Sequence, residues 1–276
     1  MSQHVQHNSV IQPETLLFPL TGVDAHAHLD MRRFGGDISN VLSRAKTAGV
    51  SGIGNVFLNL EAWEQGAVLF ADAPEVFFLL GIHPTDAMHC TPDVINGMKS
   101  AFASDAKLRA LGEIGLDFYW KDCPPDVQRR VFRAQLQLAR ELSLPVVIHS
   151  RDAYAETLSI LIDEGFSGYP LLWHCFGGNA LHAKELTDLG WHISIPGPVT
   201  FPANHALREA LHVIPLDKLL IESDCPYLAP IPWRGKRNEP AYAVFTAACI
   251  AKNLGIHPAE LWTLCGDNAR RFFKLG

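Results

Sequence analysis

His26 and His28, in the segment VDAHAHLD at 23–30, have the residue type and the spacing of a metal-ligand pair. On a β-strand, side chains at i and i+2 leave the same face, so the two imidazoles aim at one point and make half of a metal site. An isolated His-x-His is more often a partly exposed strand end, so its meaning depends on what other strand ends supply. Similar groups stand at the ends of other short apolar runs: Glu113 in LGEIG, His149 in VVIHS, His174 in LLWHC, and Glu222 and Asp224 in IESD. Burying so many polar groups together costs on the order of several kcal/mol unless something pairs them, and a divalent cation does so.

For these residues to converge, they must occupy the same end of neighbouring strands. Strand-like runs lie at 23–30, 50–57, 76–82, 108–116, 145–149, 171–175, 191–195 and 219–221, each followed by a helix-length amphipathic segment. The first such segment, DISNVLSRAKTAG at 37–49, opens on Asp37 as a capping residue and ends at Gly49, with Ile38, Val41, Leu42 and Ala45 at helical spacing. The runs are apolar rather than alternating, as expected of parallel strands buried on both faces. Eight β-then-α units predict an α/β fold, a (β/α)8 TIM barrel, with its ligands at the C-terminal strand ends. A doubly wound open sheet is the competing topology, and the chain lacks the G-x-G-x-x-G turn or P-loop that would favour it. No Gly-, Ser- or Pro-rich linker divides the sequence. We expect a polar N-terminal extension over residues 1–20 and one barrel domain over 21–276, closed by helices in 239–254 and 258–273.

Composition narrows the function classes. Of 276 residues 48% are hydrophobic, enough for one large core, and the net charge of −6 provides no basic face of the kind that grips duplex nucleic acid. The six cysteines form no C-x-x-C pair, which argues against a zinc ribbon or a disulfide framework and fits reduced thiols in the cytoplasm. No secretory h-region or membrane-length apolar stretch is expected.

Seven blocks in order, DAHAHLD at 24–30, GIHP at 81–84, LGEIGLDFY at 111–119, LPVVIHSRDA at 144–153, HCFGG at 174–178, IESDCPYLAP at 221–230 and RGKRNEP at 234–240, resemble the TatD family of metal-dependent deoxyribonucleases, among the amidohydrolase-like barrels. The resemblance runs over 23–273 and implies two divalent metal ions. It implies that His26, His28, Glu113 and Asp224 hold one and that Glu113, His149 and His174 hold the other, with Glu113 as the bridge. The chain departs from the family's frequent spelling at ESDCP, where ETDSP is common, and at HCFGG, where Ser or Thr usually follows Phe. Neither change touches an implied ligand. Cys175 and Cys225 each follow a ligand by one residue, so strand alternation is expected to turn them away from the metals.

A bridging carboxylate can hold two cations about 3.5–4 Å apart, where they share a water and clamp a phosphate. The catalytic residues implied are Glu113 and Asp224, the latter as ligand and proton acceptor. Glu222, two residues before Asp224, should face the same interior and orient a ligating histidine; an Arg or Lys partner inside the barrel is the alternative. Substrate-contact candidates are His83, which could instead cap the turn before Pro84, and Arg151, which could instead pair with Asp117 or Asp152. Arg234, Lys236 and Arg237, beside Trp233, suit a strand backbone and a stacked base, or else form a solvated loop. Tyr119, Trp120 and Phe176 are rim aromatics. The resulting expectation is a divalent-metal-dependent hydrolase of phosphodiesters, a DNA exonuclease taking single-stranded ends, with zinc, manganese or magnesium as the ion and no protein partner readable. A metal-dependent ester or amide hydrolase, such as an aminoacyl-tRNA deacylase or a lactonase, would use the same residues. A barrel that binds without catalysis is the third class.

Overall fold

In the computed structural model, which describes residues 10–276, all eight apolar runs are strands: β1 (Gly22–Ala27), β2 (Val50–Phe57), β3 (Val76–Leu80), β4 (Leu108–Asp117), β5 (Val146–Arg151), β6 (Leu171–Trp173), β7 (His192–Ile195) and β8 (Leu219–Ile221). They pair in parallel in the order β1 to β8 with no reversal, so the doubly wound alternative is set aside. The sheet curls until its ends meet just above β8. There Ala27 bridges Cys225, the His28 N–H donates to the Cys225 carbonyl at 2.8 Å, and the Asp224 N–H donates to the His26 carbonyl at 2.9 Å. Around the sheet lie α1 (Ile38–Thr47), α2 (Leu60–Gly66), α3 (Pro92–Ser104), α4 (Pro125–Leu142), α5 (Tyr154–Asp163), α6 (Ala180–Asp188), α7 (His205–Ala210), α8 (Ala243–Leu254) and α9 (Pro258–Phe273). This is the (β/α)8 arrangement, and among the described residues no helix is long and apolar enough to cross a membrane.

Two apolar layers show which face each strand residue takes. Val23, Ala25, Leu79, Ala110, Val147, Leu172 and Leu220 form a cluster inside the barrel with Phe272 and Phe273 of α9. Ala27, Leu29, Leu111, Ile114, Ile148, Trp173 and Ile221 belong to the larger cluster between strands and helices. Along β5, β6 and β8 alternation is regular, so the interior positions Val147, Leu172 and Leu220 are followed two residues later by His149, His174 and Glu222. On β1 and β4 the parity switches. Ala25 and Ala110 face inward, yet so do the groups opposite Ala27 and Ile114, and register shifts between Asp24 and Ala27 and between Leu111 and Ile114 account for it. Each extra residue is a bulge that re-aims the side chains beyond it. His26, His28 and Glu113 reach the interior for that reason.

Gly115 is required where β4 passes β5. Its φ of +146° suits glycine, and a Cβ there would lie 2.0 Å from the His149 carbonyl oxygen. Residues 1–9 of the expected N-terminal extension lie outside the described residues. Beyond them Pro13–Leu16 forms a 3-10 turn, Phe18 meets the Trp262 ring edge-on at 5.4 Å, and the Trp262 indole donates to the Pro19 carbonyl at 3.1 Å.

Candidate metal centre

Glu113 is the hub at the C-terminal end of the barrel. Its Oε1 lies 2.5 Å from His149 Nδ1 and 2.8 Å from His174 Nε2; its Oε2 lies 3.3 Å from His26 Nε2 and 3.9 Å from His28 Nε2. Asp224 Oδ1 stands 3.5 Å from His28 Nε2. All six residues singled out as ligands are thus brought together, five of them on strands or one residue past a strand end, and Asp224 on the turn after β8. Their donor atoms fall into overlapping triads, His26–Glu113–His174 and His26–His28–Asp224, and a further triad joins His83, Asp117 and His149, each spanning no more than 4.8 Å.

The inner frame holds these side chains in place. The His28 Nδ1–H donates to the Val56 carbonyl at 3.2 Å, which leaves Nε2 facing the centre. Asn55 accepts from the Leu29 N–H at 2.7 Å and fixes the turn after β1. Asp24, fully buried, accepts from the Ser223 N–H and hydroxyl at 2.8 and 2.6 Å, stapling the His-x-His strand to the segment that carries Asp224. Burial pushes the Asp24 carboxyl up to about 7, against the hydrogen bonds from Ser223. Glu222 accepts from the Ser194 hydroxyl at 2.5 Å and the Cys175 N–H at 2.7 Å, and its Oε2 lies 3.6 Å from His174 Nδ1. Its hydrogen-bond partners are therefore a hydroxyl and a backbone amide, with the imidazole beyond hydrogen-bond distance, not the Arg or Lys of the alternative.

The donors suit a divalent cation. His26 is completely buried, stacks on His174 at 3.9 Å, and has no hydrogen-bond partner at either ring nitrogen; His174 Nδ1 is likewise unpartnered. A buried polar atom left unpaired costs about 1–3 kcal/mol, so a pair of stacked imidazoles with idle nitrogens beside a carboxylate fits a bound ion. Burial works against the charge of Glu113, but His174 and His149 outweigh it and hold the carboxyl well below its ordinary range. Burial likewise opposes the charge of Asp224, and the neighbouring His28 brings its pKa down. Both carboxylates are therefore anionic, the state a cation needs.

The centre forms the floor of a cleft of about 650 Å³. His83 lines it and also caps the 3-10 turn Pro84–His89: Nδ1 accepts from the Thr85 N–H at 3.3 Å, and Nε2 faces Glu113 Oε1 at 3.8 Å. Burial, helped by His149, drives its pKa down to about 3, so the ring is neutral. Arg151 lies over Tyr119 at 3.9 Å and Trp120 at 5.8 Å rather than pairing with Asp117 or Asp152. Phe176 is buried in the core and lies off the rim. Of the cations after β8, none lines the cleft. Arg234 stacks on Phe201 at 4.3 Å. Lys236 borders a separate cavity of about 520 Å³ beside Gln12 and Trp233. Arg237 donates to Asp37 at 2.6 Å and to the Arg33 carbonyl, and lies over Phe34 at 4.7 Å. The expected cap Asp37 makes no side-chain cap bond to α1, because its carboxylate is taken by Arg237, Asn40 and Arg44.

One expectation is corrected. Cys175 does not turn away: it lines the cleft, with Sγ 3.9 Å from Asp224 Oδ2. Regular strand geometry ends at Trp173, and the φ of +49° at Cys175 breaks the alternation on which the expectation rested. Cys225 is buried as expected. Sequence reasoning also passed over Asp117, Tyr227 and Met31, all of which line the cleft. Asp117 carried a signal, since it stands four residues after Glu113 on one strand and shares its face. Tyr227, on a loop, carried none.

Residues 23–274 match the family model described as TatD related DNase. The chain is a member of that family. TatD relatives include an uncharacterized metal-dependent hydrolase, YabD, of Bacillus subtilis, 37% identical over 252 residues that cover 91% of this chain and 98% of the relative. The Salmonella typhimurium protein named 3'-5' ssDNA/RNA exonuclease TatD is 35% identical, covering 91% of this chain and 98% of its own. The crystal structure of YjjV, a TatD homolog from Escherichia coli K12, superposes with a TM-score of 0.86 at 27% identity, over 93% of this chain and 99% of that one. As a TatD-family protein the chain is a metal-dependent hydrolase.

Proposed function

We propose that this hydrolase removes nucleotides from the 3' end of single-stranded DNA, and of RNA, with two divalent cations. His26, His28, Glu113 and Asp224 would hold one and Glu113, His149 and His174 the other. When bound, the ions would lower the pKa of water and neutralise charge on the phosphoryl oxygens. Asp224 accepts the proton of the attacking water at its carboxylate. His83, neutral with Nδ1 engaged by Thr85, presents Nε2–H to the cleft as a donor toward a phosphate oxygen. Arg151, held over the Tyr119 ring, offers a fork of donors to the next phosphate. Trp120 and Tyr227, each about half exposed on the rim, offer ring faces to a terminal base.

The observation that carries this reading is the joining of one carboxylate hub, ringed by imidazoles, to a cleft lined by two aromatics and, among the described residues, by Arg151 as its one arginine or lysine, with Arg33 over the Tyr227 ring. So few cations suit one extruded strand, which presents few phosphates to neutralise. Relatives of 35% and 36% identity named 3'-5' ssDNA/RNA exonuclease support the polarity and both substrates. Six unpaired cysteines support a reducing compartment, the cytoplasm. The test is a substrate panel on the protein loaded in turn with Mn²⁺, Mg²⁺ and Zn²⁺: single-stranded DNA with free or blocked 3' ends, duplex DNA, RNA, an aminoacyl-tRNA and simple esters. Stepwise shortening of free 3' ends is expected. Turnover of the esters or the aminoacyl-tRNA, with none of the oligonucleotides, would overturn the reading.

A further inference from the structure

Asp117 stands outside the donor set assigned to the two ions, yet it is 1% exposed and uses every polar atom it has. Its Oδ2 meets His149 Nε2 at 2.9 Å, and its Oδ1 accepts from the N–H groups of Tyr119 and Trp120, both at 3.0 Å. Its own N–H donates to Gln128 Oε1, and its carbonyl accepts from Gln128 Nε2, both at 2.8 Å. A buried glutamine of α4 thus clamps the backbone of an aspartate whose two oxygens point in different directions.

We propose that Asp117 is a positioning residue that couples the metal centre to the substrate rim, an inference that rests on the two-ion reading above. A neutral imidazole that gives one nitrogen to a cation carries its proton on the other, so the partner of that proton sets the tautomer. His28 uses the Val56 carbonyl for this purpose. For His149 the group at hydrogen-bond distance from Nε2 is Asp117, which would leave the Nδ1 lone pair for the cation that Glu113 shares. The second oxygen pins the turn that carries Tyr119 and Trp120, the rings beneath Arg151. The β4–β5 register sets Asp117 beside Arg151, so one carboxylate fixes both a ligand and the phosphate-facing rim. A separate cation held by His83, Asp117 and His149 is the competing use of this cluster. It is disfavoured because His149, while neutral, has one lone pair to give and Thr85 already engages His83 Nδ1.

The test is titration of metal-free protein with Co²⁺ in the absence of substrate, followed by visible absorption and calorimetry, for the wild type, Asp117→Asn and Asp117→Ala. The wild type should bind two ions. Asparagine offers one acceptor where the carboxylate offers two, so in both variants affinity for one ion should fall about 10- to 100-fold while the other stays within about threefold. Trp120 emission should shift in the same variants as the turn loosens. Unchanged affinity for both ions in a folded Asp117→Asn protein overturns the positioning role and leaves the two-ion reading intact. Three ions in the wild type falling to two in the variants overturns it in favour of direct ligation. A wild type that binds no Co²⁺ overturns both.

Discussion

Asp224→Asn separates proton transfer from folding better than any other change at this centre. Asp224 has a φ of +53°, the left-handed region in which asparagine is tolerated best after glycine. The segment is held by backbone, with the Asp224 N–H on the His26 carbonyl at 2.9 Å and the Asp224 carbonyl accepting from the Tyr227 N–H at 3.0 Å. The amide is nearly the same size as the carboxylate and keeps an oxygen that can face His28. Melting temperature should therefore move by only a few degrees. The amide cannot accept the proton of an attacking water, and loss of a general base costs about 10²–10⁴ in rate, roughly 3–5.5 kcal/mol. Single-turnover shortening of a 5'-labelled single-stranded oligonucleotide, at saturating Mn²⁺ and with metal stoichiometry measured on the same sample, reads this directly. We expect kcat to fall by about 10³ with KM little changed and two ions still bound. A rate within tenfold of wild type, with both ions in place, would refute Asp224 as proton acceptor.

Two further contrasts follow from where the remaining charges lie. Arg151→Ala should raise KM for oligonucleotides and reduce the salt slope of binding by about one, since it removes one phosphate contact; Arg237→Ala should leave both unchanged and lower stability by about 1 kcal/mol, because that guanidinium serves Asp37, the Arg33 carbonyl and Phe34. A salt slope altered by Arg237→Ala and not by Arg151→Ala would reverse the assignment. At the opposite end of the barrel, burial, with Lys218 nearby, lowers the His192 pKa from 6.5 to about 4, and its Nδ1 has no partner. Between those values the unfolded chain binds a proton that the folded chain does not, so this contribution is complete above pH 6.5 and is lost as pH falls toward 4. The slope is at most about 1.4 kcal/mol per pH unit. Urea unfolding of His192→Phe from pH 4.5 to 7 should show a flatter profile than wild type; parallel profiles would contradict the assignment.

Apolar runs of strand length, alternating with amphipathic helices, were enough to determine the eight-stranded parallel barrel, because burial on both faces leaves few other ways to use such strands. The types and strand-end positions of His26, His28, Glu113, His149, His174 and Asp224 were also legible, as was the inward face of Glu222 from its spacing to Asp224. Side-chain direction past a bulge or in a left-handed residue was not legible, since one extra residue inverts a period of two. The bulges in β1 and β4 decide that His26, His28 and Glu113 face the interior, and the left-handed backbone at Cys175 decides that its sulfur does too. Partnership between distant charges was equally out of reach. The cluster Arg234, Lys236 and Arg237 reads as a phosphate-binding loop in one dimension, but in three Arg237 is spent on Asp37, 200 residues away, and Arg151 is the cation at the cleft. Local sequence sets which chemistry a residue can do, while packing sets which neighbours satisfy it first, and groups left unsatisfied, such as the idle nitrogens of His26, mark where a ligand fits.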